Sequence, residues 1–266
     1  MKKKTIVSLL FAGLLVFVGC NLDLDYIEYY PEGSRPTKPA PNDNRIERYT
    51  FVKLATGKHV EIWCEENYSI QEKRNTRESF IKKNVYEWDK DFEDITSFLG
   101  LYPRGDSPNT KVQVYHYPGN GGSQVHTATE AAILMNGFDG PFSHEFGHLI
   151  SYRETTPYSG FPGEKWFSEF VAIMTAEYVK DDSHYRGKIV GLFDGWREQN
   201  NDYYYTYTKL SKFLFKTYGN SFFYDLMHAA VDDGLVNQAA LEFCLNNRGV
   251  TLNGMVNAFK ASKWYS

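Results

Sequence analysis

The stretch "GPFSHEFGHLIS", residues 140–151, is where the chain changes character. Before it, strand-like runs surround one long helical segment. After it, apolar residues recur at helical spacing. Upstream, "RYTFVKLATGKHVEIWCEE" (48–66) alternates on either side of Thr56-Gly57, which predicts a hairpin. "TRESFIKKNVYEWDKDFEDITSFLG" (76–100) carries Phe80, Ile81, Val85, Trp88, Phe92, Ile95 and Leu99 on one helical face, with Gly100 as the stop. "KVQVYHY" (111–117) reads as a strand ended by "PGNGG", and "SQVHTAT" (123–129) as a second extended run. "EAAILMNGFDG" (130–140) leads into the opening stretch.

Downstream, "SHEFGHLISYRE" (143–154) and "EKWFSEFVAIMTAEYVK" (164–180) read as two helices joined by "TTPYSGFPG". Three more follow in "YTYTKLSKFLFKTYG" (205–219), "SFFYDLMHAAVDDG" (221–234) and "NQAALEFCLNNRG" (237–249). Strands first and helices afterwards predict an α+β fold. A mixed-sheet lobe with one long helix spans about 45–140, and a mainly helical lobe about 141–266.

Composition narrows the function classes. At 266 residues, 42% hydrophobic and 17% aromatic, the chain can bury a real core and is not a disordered one. A net charge of −4, with no basic stripe beyond the first residues, argues against a nucleic-acid partner.

The first 19 residues stand apart from the domain. "MKKK" is a positive n-region and "TIVSLLFAGLLVFVG" an apolar run of signal-peptide length. The run ends in "FVGC", which resembles a bacterial lipoprotein signal in which Cys20 carries the lipid, with Phe17 in place of the usual Leu. The expectation is a lipid anchor in the bacterial cell envelope, at the outer membrane or cell surface. Residues 20–44, acidic and then Pro-rich, read as a flexible tether, with the domain starting near Arg45. Cys64 and Cys244 remain, either paired or as two buried thiols.

The chemistry lies in "HEFGH". Helical residues four apart share a face, so His144 and His148 can aim their imidazoles at a common ion with Glu145 beside it. The H-E-x-x-H spacing is that of zinc hydrolases in which the glutamate is the general base. Gly147 costs about 1 kcal/mol inside a helix, so something must pack closely against it. A third ligand is needed, and Glu169 sits on the next amphipathic helix, 21 positions after His148. Glu164 and Glu177 lie on the same helix and are the alternatives. His116, His126, His184 and His228 have no partner at ligand spacing and read as structural or surface residues.

The combination of "HEFGH" with Trp166, Glu169 and Ala172 resembles the gluzincin zinc metallopeptidases, whose second helix supplies a glutamate from a Trp-x-x-Glu or Asn-Glu-x-x-Ala context. The resemblance spans about residues 140–180, and more loosely to 230. It implies a zinc site in a cleft between the two lobes, with ligands His144, His148 and Glu169. Glu145 is then the base that accepts a proton from a zinc-activated water and returns it to the leaving amine. A later helix supplies an oxyanion donor, and "DYYYTYTKLSKFLFKTYGNSFFYDLM" is similar to that segment. The match points to Tyr207 in its Tyr-x-Lys; Tyr203, Tyr204 and Tyr205 compete with it, and all of them can equally be packing aromatics.

Two departures are plain. Ile173 stands where thermolysin-type enzymes carry an aspartate that orients a histidine, and the amino-terminus-binding motif of aminopeptidases is absent. The second favours cleavage within a peptide or protein chain. "SQVHTAT" is the candidate strand for pairing with an extended substrate, and "PGNGG" a candidate lip. In its lipobox, size and HExxH, the chain is also similar to zinc metallohydrolase lipoproteins of Bacteroidetes-type bacteria, which implies outer-membrane nutrient-import machinery as a partner.

Overall fold

The computed structural model describes residues 23–41, 43, 46–103, 109–119, 124–126, 131–138, 141–151, 165–179, 187–192 and 201–265. Among them the fold is α+β, as its residue order predicts.

The hairpin at Thr56-Gly57 forms as expected. β3 (Thr50–Thr56) pairs antiparallel with β4 (Val60–Glu65). Its turn is pinned to the long helix α2 (Glu78–Leu99), where the buried Asp89 carboxylate accepts from the amides of Lys58 and His59, both at 2.8 Å. A Cβ on Gly57 would stand 2.3 Å from Asp89 Oδ2, so only glycine lets the turn approach this closely. α2 ends at Gly100 in the left-handed conformation (φ 66°), whose N–H bonds to Thr96 O.

The stretch read as a tether behaves differently. β1 (Glu28–Tyr29) and β2 (Thr37–Pro39) both pair antiparallel with β3, and Ile27 is buried in the core. The domain therefore reaches back before the expected boundary near Arg45, because Ile27 packs in the core and residues 28–29 and 37–39 pair with β3. Proline does not exclude pairing here: Pro39 sits at the end of a short strand, a place where a missing N–H costs no ladder bond.

β5 (Val112–Tyr117) lies parallel to β4, and β7 (Ala132–Asn136) parallel to β5. β7 is a strand that the sequence reading passed over. Its run "AILMN" is apolar throughout and shows no alternation, as befits a strand covered on both faces. β6 (Gln124–His126) closes the edge antiparallel to β7, in the order β1-β3-β4-β5-β7-β6.

The period of two sorts the sheet's side chains. Val52, Leu54, Ile62, Val114, Ile133 and Met135 face α2 and the helical lobe. Phe51, Trp63, Tyr115, Tyr117 and Leu134 form a second cluster. Over that second face, Lys38 Nζ lies 4.3 Å from the Trp63 ring centre.

The short helix α1 (Glu66–Gln71) follows β4, capped by the Glu65 carboxylate. The helical lobe comprises α3 (Phe142–Ser151), α4 (Lys165–Tyr178), α5 (Asn201–Tyr218), α6 (Asn220–Val231), α7 (Asn237–Asn246) and α8 (Leu252–Lys260). α8 was not anticipated; Thr251 caps its start by accepting from Gly254 N. Cys64 and Cys244 are buried free thiols, with burial pushing the Cys244 thiol up to about 12. The signal region, Cys20, the 152–164 connection, Glu164 and His184 lie outside the described residues. No described helix is long and apolar enough to cross a membrane.

Candidate metal centre

All ten residues of α3 are buried, so the helix carries its histidines and glutamate away from bulk water. Phe142 and Phe146 take the face toward α2, where their rings lie 5.1 Å from Trp88 and Phe92 respectively. Ser143 Oγ donates to Asp91 of α2 at 2.6 Å, which ties the first turn down. With that face fixed, His144, Glu145 and His148 turn elsewhere. The two imidazoles stand 4.9 Å apart, centre to centre, and nearly perpendicular.

α4 delivers Glu169 to them. Its Oε2 lies 3.2 Å from His144 Nε2 and 3.5 Å from His148 Nε2, and all three residues are largely buried. A buried carboxylate beside two imidazoles is costly unless a positive charge compensates it. The spacing suits a cation. Two ligand atoms each about 2.05 Å from a tetrahedral zinc stand about 3.3 Å apart. The three ligand atoms lie within 4.8 Å of one another, so this group can hold a metal ion.

The electrostatics agree with the geometry. Burial alone would raise the Glu169 carboxyl, but His148 and His144 outweigh it and hold it well below the usual range. For Glu145 burial dominates and raises it to about 7; His144 opposes the rise and Glu169 adds to it.

The alternative ligand Glu177 points elsewhere, 3.5 Å from Lys212 Nζ of α5. His116 is fully buried, with Nδ1 against Gly137 O and its ring stacked on Phe138. His228 bridges Asp232 and the Leu99 carbonyl at the end of α2. Neither belongs to the cluster, and His126 is described only as part of β6.

Tyr207 is 1% exposed, its ring 6.3 Å from Trp166 and 5.6 Å from Phe170. Tyr204, one turn earlier and only part-buried, brings its ring to 6.0 Å from that of His144. Sequence reasoning also passed over Ser168, whose Oγ lies 3.1 Å from His148 Nδ1. Its one signal was position: adjacent helical residues are about 100° apart, so Ser168 and Glu169 can reach opposite edges of one imidazole.

No protein-family model matches the chain, and no curated protein matches it.

Proposed function

We propose that the chain is a zinc-dependent metallopeptidase, held by lipid on Cys20 at a bacterial envelope and cleaving within peptide chains. The observation that carries this reading is the convergence of Glu169 Oε2 on both Nε2 atoms at zinc-ligand spacing. Two imidazoles and one carboxylate are a three-ligand set, which leaves a coordination position open for chemistry, whereas closed structural sites use four protein ligands. Zinc held there supplies Lewis-acid activation of a water and of the substrate carbonyl.

The chain's own residues do the rest. Glu145, adjacent to His144 and buried beside the ligands, is the carboxylate that would accept the water's proton. It then donates that proton to the leaving nitrogen. We favour Tyr204, whose ring lies 6.0 Å from that of His144, over Tyr207 as the donor of a hydrogen bond to the oxyanion that develops on the carbonyl. β6 is the last strand of the described sheet on the side of β7, so its outer edge can pair with an extended peptide. The "FVGC" lipobox supports the envelope anchor, and through it a place beside outer-membrane import machinery.

The test is Glu145→Gln, assayed on a mixed peptide library. The variant retains one zinc and loses chelator-sensitive hydrolysis. Wild-type turnover in the variant would contradict the base assignment. A zinc-loaded wild type with no hydrolysis would favour a non-catalytic lipoprotein that binds glycan or protein.

A further inference from the structure

The geometry points to Ser168 as the positioning residue that fixes the tautomer and orientation of His148, and thereby sets the affinity for the cation. This rests on the metal-site reading above and adds to it. An imidazole that ligates through Nε2 carries its proton on Nδ1, and that N–H needs an acceptor if the ring is not to turn. Ser168 Oγ stands 3.1 Å from His148 Nδ1, and both residues are buried.

Consecutive residues of α4 thus bracket one ring, Glu169 at the Nε2 edge and Ser168 at the Nδ1 edge. The arrangement is one-sided. Among the described residues, His144 Nδ1 meets no hydrogen-bond partner. The orienting contact is also a neutral hydroxyl. A carboxylate there would add a second negative charge behind the ligands, and Ile173 shows that α4 does not bring one from the next turn. Ser168 therefore acts on the pair through His148, and losing its hydroxyl removes the acceptor at that ring's Nδ1 edge.

Zinc dissociation constants of the full chain, measured by chelator competition for wild type, Ser168→Ala and Ser168→Thr, test this directly. Ser168→Ala weakens binding by about 10-fold, whereas Ser168→Thr, which keeps the hydroxyl, stays within about 2-fold of wild type. The visible spectrum of the cobalt(II)-substituted protein changes in the alanine variant and is kept in the threonine one. Wild-type affinity in Ser168→Ala would overturn the role. Equal losses in both variants would also overturn it, since packing and not the hydroxyl would then be responsible. A wild type that takes up no zinc would overturn the metal-site reading itself, and this inference with it.

Discussion

Gly147 of α3 lies so close to Ala172 of α4 that no side chain fits between them. A Cβ on Gly147 would stand 2.9 Å from the Ala172 Cα and 2.6 Å from Thr175 Oγ1. Gly147 is flanked by His148 and lies one turn from His144, so this contact sets how near Glu169 comes to the imidazoles. The helix accepts the cost of glycine in order to close the site.

Replacing that glycine separates two opposing effects. Alanine improves intrinsic helix propensity by about 1 kcal/mol. The clash is with the Thr175 side chain and the Ala172 backbone, and overpacking a closed interface costs about 1–3 kcal/mol. Gly147→Ala is therefore expected to lower the unfolding free energy in urea and to weaken zinc binding together. A more stable variant would show that the two helices part without cost.

The tyrosines of α5 are separable by kinetics. Tyr204→Phe should lower kcat by about 100-fold with little change in KM, the effect of losing one oxyanion donor. Tyr207→Phe keeps the ring that packs on Trp166 and Phe170, so turnover should stay close to wild type. Steady-state rates on one peptide substrate check both, and the reverse ranking would return the role to Tyr207.

The two carboxylates act on stability with opposite sign in the metal-free protein. Glu145 is raised from 4.5 to about 7, so its native form holds a proton that the unfolded chain releases. Its contribution, roughly 3 kcal/mol, is present in acid and lost as pH rises from about 4.5 to 7. Glu169 is depressed, so its contribution is present above 4.5 and lost as pH falls below it. Urea unfolding in the presence of chelator should show the decline toward neutrality flatten in Glu145→Gln. An unchanged decline would place its origin in other groups.

Much of this was readable in the residues, and the misses have physical causes. The hairpin, α2 and the helices from Phe142 to about Asn246 followed from the spacing of their apolar residues and from their stop signals. β7 escaped because a strand covered on both faces loses its alternation. β1 and β2 escaped because two- and three-residue strands take their stability from the partner β3 and not from their own pattern. In the site, the i, i+4 pair fixed His144 and His148, and the amphipathic α4 pointed to Glu169. Ser168 and Tyr204 depend on how three helices rotate against one another, which spacing along one helix does not encode.

The central claim is that His144, His148 and Glu169 together hold one zinc ion. The most direct measurement is metal content after zinc loading and extensive dialysis, comparing wild type with Glu169→Gln of matched fold by circular dichroism. The account predicts one equivalent of zinc in the wild type and a large loss in the variant, because an amide cannot supply the charge that balances the ion. Full zinc occupancy in Glu169→Gln, or none in the wild type, would contradict it.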